Sequence, residues 1–112
     1  MYWYTAPSIL KQWVDDIFAY DFAFTYDDEG AWQPLNLVDK KSQMVVSIDG
    51  SKEEYDEIGV DIKKCLHSYE TTAFVLGMKE ENPYLIYGVD SIKYSDKELD
   101  EIALDIKETI LG

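Results

Sequence analysis

The sequence has 112 residues, of which 46% are hydrophobic, and its 23 acidic and 10 basic side chains give a net charge of −13. A chain of this length can bury about two-thirds of its unfolded surface, so we predict one acidic domain over residues 1–112. The charge argues against direct binding to nucleic acid or to an anionic membrane, because phosphates are held by clusters of Lys and Arg.

The cysteine content and the N-terminal residues indicate where the protein works. Cys65 is the only cysteine, which fits a reducing compartment. The first sixteen residues lack the basic region and unbroken apolar run of a signal peptide, and no segment approaches the ~20 apolar residues of a membrane span. We therefore expect a cytoplasmic protein, in the host cytosol if a phage encodes it.

The first half of the chain predicts one helix and three strands. Apolar residues recur at helical spacing over 7–19, which predicts an amphipathic helix. Alternating aromatic residues over 22–26 then predict a strand, and the polar turn at 27–30 predicts a hairpin. Pro34 cannot donate a ladder hydrogen bond, so the second strand should be an edge or start after it. The run 42–50 predicts a third strand that pairs with the one before it.

A second helix is predicted after the third strand. Ser51 and Glu54 form a capping-box pattern, and apolar residues follow at helical spacing as far as Tyr69. Gly59 lies within this predicted helix, where it costs about 1 kcal/mol relative to Ala, and we interpret it as a point of close packing. His67 is expected near the C-terminal end of the helix, where a cation complements the helix dipole.

The last third of the chain predicts two strands and a final helix. The strands are expected at 71–79 and 83–94, joined by a turn. Ser95 and Glu98 repeat the capping-box pattern, so a helix should follow them. Its buried face should contain Leu99, Ile102, Ala103, Ile106 and Ile110. The predicted order is α-β-β-β-α-β-β-α, and the simplest closure is an α+β domain: an antiparallel sheet of about five strands with three packing helices. Trp13 and Trp32 are expected in its core.

Side chains that carry chemistry are few. The single His67 lies two residues from Cys65 on a predicted helix, and such neighbours do not face each other. The acidic turn 27–29 lacks the ligand spacing of a calcium loop. The glycines at 30, 50, 59, 77, 88 and 112 form no phosphate-binding cluster. We therefore predict no catalytic residue, no metal and no cofactor, and a protein that is not an enzyme.

Two surface features remain, and the first is a ridge of acidic side chains. They recur at helical spacing on the last two predicted helices: Glu54, Glu57 and Asp61, then Glu98, Glu101, Asp105 and Glu108. Like charges at this spacing repel by about 0.2–0.5 kcal/mol per pair. Their repeat of about 5 Å is close to the roughly 7 Å between phosphates along one nucleic-acid strand. The alternative is that any amphipathic helix in an acidic protein shows such a stripe on its solvated face.

The second feature is the aromatic run at the start of the chain. Tyr2, Trp3 and Tyr4 precede the first helix signals and could form an exposed aromatic patch. Tyr and Trp are enriched at interfaces, because each combines a large apolar area with a polar group. The alternative is that these residues form an edge strand or pack over the core.

In size, charge and lack of catalytic residues the chain resembles phage anti-defence proteins, including anti-CRISPR proteins and other DNA mimics. This resemblance implies a non-enzymatic inhibitor that occupies the cationic surface of a nucleic-acid enzyme. The partner would be a basic protein, bound through the acidic ridge and the aromatic patch. An immunity protein that neutralises a nuclease toxin through the same electrostatic attraction is an alternative. The element order also resembles type III secretion chaperones, which are dimers, so a chaperone and a homodimer stay open as alternatives.

Overall fold

A computed structural model describes residues 1–90 and 92–111 of the chain, so Ser91 and Gly112 lie outside the described residues. The contacts group the chain into two compact units. The first comprises residues 1–42 and 62–81, and the second comprises 43–61 and 82–112. Each unit is described on its own, and the expectation of one domain over 1–112 stays a prediction.

Helices and strands are short in both units. The first unit contains α1 (Ser8–Ile17), β1 (Phe24–Tyr26), β2 (Trp32–Pro34), β3 (Lys41–Ser42), α3 (Ile62–Cys65), α4 (His67–Val75) and β5 (Lys79–Glu80). The second unit contains β4 (Val45–Ser47), α2 (Lys52–Glu57), β6 (Tyr84–Ile86) and α5 (Asp96–Leu111). Among residues 1–90 and 92–111, no helix is long and apolar enough to cross a membrane.

The first predicted helix and the hairpin are confirmed. α1 begins directly after Pro7, which serves as its N-cap. β1 and β2 pair antiparallel, and the carboxylate of Asp27 closes their turn by accepting hydrogen bonds from the backbone N–H groups of Glu29 and Ala31. Pro34 is the last residue of β2 in a two-stranded sheet, which is an edge position as expected.

The predicted antiparallel sheet of about five strands is wrong. β3 pairs in parallel with β5, with Lys41 opposite Lys79, and β4 pairs in parallel with β6, with Val46 opposite Leu85. The run 42–50 therefore pairs with segments far along the chain and not with the hairpin before it. Parallel pairing needs a long crossover connection, which the helices between β4 and β6 supply. Local sequence signals a strand but does not identify its partner.

The predicted strand at 71–79 is also wrong, because most of it lies in α4. Its Thr, Phe and Val residues favour a strand by composition. The buried residues Leu66, Ala73 and Leu76 are instead spaced seven and three apart, which places them on one helical face. Packing of that face overrides the local propensity. His67 consequently lies in the first turn of α4, so its predicted place at a helix C-terminus is wrong.

Gly59 ends a helix and does not lie inside one. Its φ is +74°, and its N–H donates to the carbonyl of Asp56 while the N–H of Val60 donates to that of Tyr55. This is the Schellman pattern, which needs a residue in the left-handed conformation. A Cβ at Gly59 would meet no atom within 4 Å, so the interpretation as a close-packing point is wrong.

Both predicted capping boxes are confirmed. The hydroxyl of Ser51 accepts from the N–H of Glu54 at 3.2 Å, and the Glu54 carboxylate accepts from the N–H of Ser51 at 3.1 Å. Ser95 and Glu98 make the same reciprocal pair at 3.1 and 3.3 Å. In each helix the capping box therefore supplies hydrogen-bond acceptors for two of the backbone N–H groups that a helix leaves unpaired at its start.

The core of the described residues is small. The buried apolar side chains are Ala23, Ile62, Leu66, Ala73 and Leu76 in the first unit and Ile48 in the second. Trp13 and Trp32, which were expected in the core, are 51% and 37% exposed. The predicted buried face of the last helix is also wrong, since no residue of α5 is buried and Leu99 and Ile110 are half exposed.

Candidate functional site

The parallel strands β4 and β6 end at the same edge of their sheet. The pairing continues past the strands, where the N–H of Ile48 donates to the carbonyl of Ile86 at 2.8 Å and the N–H of Gly88 donates to that of Gly50 at 2.7 Å. In open parallel sheets, ligands bind outside the carboxyl ends of the strands. This edge is therefore where a ligand is expected in the second unit.

A cavity of about 460 Å³ opens at this edge. It is lined by Asp49, Gly50, Glu54, Tyr55, Ile58 and Asp90. Its volume lies within the range of about 300–1,000 Å³ that is typical of small-molecule sites. Three of these six residues carry a carboxylate, which only accepts hydrogen bonds when ionised, and Tyr55 carries a hydroxyl that can donate. The lining suits an uncharged planar ligand better than a phosphate.

Gly50 allows the backbone to approach the first turn of α2. A Cβ at this position would lie 2.6 Å from Oε2 of Glu54 and 3.1 Å from Cε2 of Tyr55. The first distance is shorter than side chains tolerate, so any larger residue would displace the capping carboxylate of Glu54. Glycine thus preserves both the helix cap and the floor of the cavity.

Two tyrosines lie at the base of this edge. The ring centroids of Tyr55 and Tyr87 are 6.4 Å apart, with the planes tilted by 54°. Burial raises the pKa of the Tyr87 phenol, which nearby Lys52 partly opposes. The Tyr87 phenol therefore stays protonated at neutral pH, and its ring supports that of Tyr55 from within the unit.

The aromatic run at the start of the chain forms a strained turn in the first unit. The N–H of Tyr2 donates to the carbonyl of Thr5 at 2.8 Å, and the N–H of Thr5 donates back at 3.0 Å. Between them, Trp3 and Tyr4 have φ values of +46° and +66°. Positive φ at both central residues is the mark of a type I′ turn, which normally uses Asn and Gly.

For a residue with a Cβ, the left-handed backbone conformation costs about 1–2 kcal/mol of stability. Trp3 nevertheless occupies such a position with 92% of its side chain exposed, so burial does not offset the strain. Strain of this kind concentrates at functional sites. The exposure of Tyr2, Trp3 and Tyr4 agrees with the predicted aromatic patch, while their contact with a partner protein stays a prediction.

The first group of predicted ridge acids does not share one helix. Glu54 lies in the capping box and lines the cavity, and Glu57 is the last residue of α2. Asp61 follows the break at Gly59 and precedes α3. The structure therefore separates Asp61 from the helix on which sequence reasoning had placed it.

The second group of ridge acids does lie along α5: Glu98, Glu101, Asp105 and Glu108. Glu98 is engaged in the helix cap, and Asp105 accepts a hydrogen bond of 2.6 Å from the hydroxyl of Tyr84. That bond raises the pKa of Tyr84. Within residues 1–90 and 92–111, no cluster of acidic, His or Cys side chains has the arrangement of a metal site. Partner binding by these acids stays a prediction.

A family model described as "Flavodoxin-like fold" matches residues 1–110. The chain belongs to this flavodoxin-like family. Parallel strand pairs, a connection through helices and a cavity at the carboxyl edge are the features that this fold predicts. The match covers both units of the chain, and it replaces the antiparallel α+β architecture that the sequence alone had suggested.

Named relatives of the flavodoxin-like chain include oxidoreductases. It is 31% identical over 109 residues to general stress protein 14 of Bacillus subtilis (strain 168), which covers 90% of this chain and 59% of that protein. It is 27% identical over 99 residues to the "Uncharacterized NAD(P)H oxidoreductase YrkL" of the same organism, covering 86% of this chain and 53% of that protein. It is 34% identical over 61 residues to the ribosyldihydronicotinamide dehydrogenase [quinone] of Rattus norvegicus, covering 54% and 26%.

A solved structure shows the same fold. The crystal structure of the thermophilic tryptophan halogenase from Streptomycin violaceusniger has a TM-score of 0.78 and 27% identity to this chain. The similarity covers 99% of this chain and 62% of that one. The chain thus spans between one half and two-thirds of the length of this structure and of its two Bacillus relatives.

These findings overturn the functional predictions. The predictions of a DNA-mimic or anti-CRISPR inhibitor, a nuclease immunity protein, a secretion chaperone and a non-enzyme are wrong. The chain belongs to the flavodoxin-like family, and two of the relatives that it matches are named as an NAD(P)H oxidoreductase and a dehydrogenase. Sequence reasoning also missed Gly50 and Tyr55. The signal was present: a β-rich run ends at Gly50, directly before the helix cap at Ser51, as at the carboxyl end of a parallel strand.

Proposed function

We propose that this chain forms part of an oxidoreductase that passes electrons from a reduced nicotinamide nucleotide to a quinone-like acceptor by way of a bound flavin. The family and the names of two relatives support the reaction class. The observation that carries the proposal is the cavity at the carboxyl edge of β4 and β6, with Gly50 at its floor and Tyr55 in its wall.

The residues of the cavity fit the ring of a flavin. Flavodoxins hold FMN beyond the carboxyl ends of their parallel strands, which is where this cavity lies. Ile58 and the ring of Tyr55 offer apolar surface to a planar ring. Asp49 and Asp90 would repel a phosphate group, so the phosphate of the cofactor is assigned to a place away from these side chains. When bound, a flavin supplies hydride and electron transfer.

Tyr55 is assigned the role of orienting the acceptor. A quinone has two carbonyl oxygens, and each needs a hydrogen-bond donor. The carboxylates of Asp49, Glu54 and Asp90 accept and do not donate when ionised, whereas the hydroxyl of Tyr55 donates without introducing charge. The same carboxylates disfavour anionic acceptors. The lining therefore favours neutral carbonyl compounds over acids.

The aromatic turn is proposed as a stacking surface for a planar ring. The ring of Trp3 is almost fully exposed to solvent, and the backbone that holds it there is in a strained left-handed conformation. Offset stacking of aromatic rings contributes about 0.5–1.5 kcal/mol beyond the area that it buries. We also propose a cytoplasmic location, which the single cysteine, Cys65, supports.

The test follows the oxidation of NADH and NADPH by the purified chain with FMN or FAD and a soluble quinone. Free flavin at the same concentration is the baseline. We expect oxidation above this baseline, reduced at least tenfold in Tyr55→Phe and unchanged in the control Tyr94→Phe, whose hydroxyl bonds the carbonyl of Tyr87. Flavin affinity is measured in parallel by fluorescence and should not change in Tyr55→Phe. Oxidation at the baseline, with no flavin bound, would refute the proposal.

A further inference from the structure

The cavity at the carboxyl edge of β4 and β6 has a negatively charged wall. Three of its six lining residues are acidic: Asp49, Glu54 and Asp90. Asp49 and Asp90 lie on neighbouring segments of the second unit, since the backbone N–H of Asp90 donates to the carbonyl of Asp49 at 3.3 Å. The Glu54 carboxylate is held in place by the N–H of Ser51. The fold therefore gathers these carboxylates, because backbone pairing and a helix cap fix the segments that carry them.

No positive side chain balances these charges at the cavity. Among the described residues that line it, none is Lys or His, and the chain contains no Arg. Lys52 follows the cap of α2, but its ammonium group pairs with the carboxylate of Asp56 at 2.8 Å. That hydrogen bond raises the pKa of Lys52, so the ammonium group stays charged and is engaged by Asp56. The cavity consequently keeps an excess of negative charge.

Tyr55 gives the same cavity an aromatic wall. The quadrupole of an aromatic ring attracts an organic cation to the face of the ring, and Tyr is one of the residues that make this contact. A cleft lined by charges of one sign also raises the local concentration of oppositely charged ligands. A positively charged planar compound therefore interacts favourably with the carboxylates and with the aromatic wall, whereas a neutral one gains only the second contact.

We propose that this cavity selects electron acceptors that carry a positive charge, and that Asp49 and Asp90 set this preference. The acceptor class is a quinone-like carbonyl compound with a quaternary or protonated amine, and a neutral compound of the same shape binds more weakly. The reduced nicotinamide supplies the hydride, solvent supplies the proton and the quinone becomes a hydroquinone, while the amine keeps its charge. The inference rests on the proposed function, because it names the acceptor class of the same site.

The first arm of the test measures binding without any redox reaction. Two probes share a ring, a methyl group and an acetyl group and differ only in charge: 4-acetyl-1-methylpyridinium and the neutral 4-methylacetophenone. Titration of the chain, followed by NMR, should show at least tenfold tighter binding of the cation at low ionic strength. This preference should shrink as salt is added, because the Debye length falls from about 30 Å at 0.01 M to about 3 Å at 1 M.

Amide variants identify the carboxylates that set the preference. Asp49→Asn and Asp90→Asn each remove one charge and keep the shape of the side chain. Each should reduce the cation preference at least threefold and should leave the affinity for 4-methylacetophenone within twofold. Asp100→Asn is the matched control, since Asp100 is exposed on α5 and does not line the cavity. It removes the same net charge and should leave the preference unchanged. Circular dichroism verifies that each variant keeps its helices.

The second arm follows the oxidation of NADH by the chain with FMN and either of two benzoquinones. One carries a trimethylammoniomethyl group, and the other carries a neopentyl group of the same shape without the charge. The kcat/KM should be at least tenfold higher for the cationic quinone. Asp90→Asn should lower this ratio, and Asp100→Asn should not.

Equal affinity for the two probes would overturn the proposal. A preference that Asp100→Asn lowers as much as Asp90→Asn would also overturn it, because the net charge of the chain would then be the cause. A preference in binding that is absent from kcat/KM would place the acceptor elsewhere. Failure of the proposed function gives a different result, in which neither quinone is reduced above the free-flavin baseline although the cation still binds more tightly. The cavity would then bind aromatic cations without reducing them, and the acceptor assignment would be overturned.

Discussion

A Cβ on Gly50 would lie 2.6 Å from Oε2 of Glu54, the same carboxylate oxygen that accepts the N–H of Ser51 at 3.1 Å. One position thus controls both the cap of α2 and the floor of the cavity at the carboxyl edge of β4 and β6. A larger residue at position 50 would therefore change both the helix cap and the cavity.

Gly50→Ala should lower flavin affinity at least tenfold and should destabilise the fold by about 1 kcal/mol, the usual value of a helix cap. Flavin fluorescence titration and urea unfolding measure the two effects. Ser95→Ala is the matched control, since it removes the equivalent cap of α5 and should cost similar stability without changing the affinity. Equal flavin affinity in Gly50→Ala and the wild type would mean that the ligand does not approach this backbone.

Trp3→Asn should stabilise the protein by about 1 kcal/mol, measured by urea unfolding. Asn tolerates positive φ at the first central position of a type I′ turn, and Trp3 is so exposed that little burial is lost. Trp3→Phe keeps both the aromatic ring and the backbone strain, so its free energy of unfolding should resemble that of the wild type. If Trp3→Asn proves less stable than the wild type, the turn is not strained.

Gly59→Ala should cost about 1 kcal/mol of stability, because Cβ is disfavoured at a φ of +74° although the space around it is open. Gly59→Asn should cost less, since Asn enters the left-handed region more readily. Urea unfolding distinguishes the two. If close packing were the reason for glycine here, the larger Asn would be the worse substitution.

Tyr84→Phe should cost about 0.5 kcal/mol near pH 7, the lower end for a hydrogen bond, because Asp105 is exposed to water. The bond raises the pKa of Tyr84 above its ordinary value of 10.0. Its stabilisation is therefore fully present below pH 10 and is lost as the pH rises through the folded-state value. Urea unfolding of both proteins from pH 8 to 11 should give curves that converge at the alkaline end, whereas a constant difference would contradict this assignment.

The sequence was most informative where the signal is local. Ser51 and Glu54 predicted a helix start that the structure confirms, because a capping box is made by residues three apart. The polar turn that starts at Asp27 correctly predicted the hairpin, and Pro34 correctly predicted its edge strand. Strand pairing was not accessible in this way, since β4 finds its partner β6 only after three intervening helices.

The errors in the candidate site follow from the unknown pairing partner of the strand that ends at Gly50. The run ending at Gly50 was expected to pair with the strand before it in an antiparallel sheet, so neither Gly50 nor Tyr55 was considered for a ligand site. In a parallel strand the same residues mark the carboxyl edge, where ligands bind. The start of the chain left two alternatives open for Trp3, an exposed patch or packing over the core, and its exposure and its positive φ are visible only in the structure.

The most direct test of the central claim is flavin binding, measured by the quenching of FMN and FAD fluorescence as the chain is added. We predict saturable binding that Gly50→Ala weakens and Ser95→Ala does not. No binding, or binding that Gly50→Ala leaves unchanged, would contradict a flavin site at the carboxyl edge of β4 and β6.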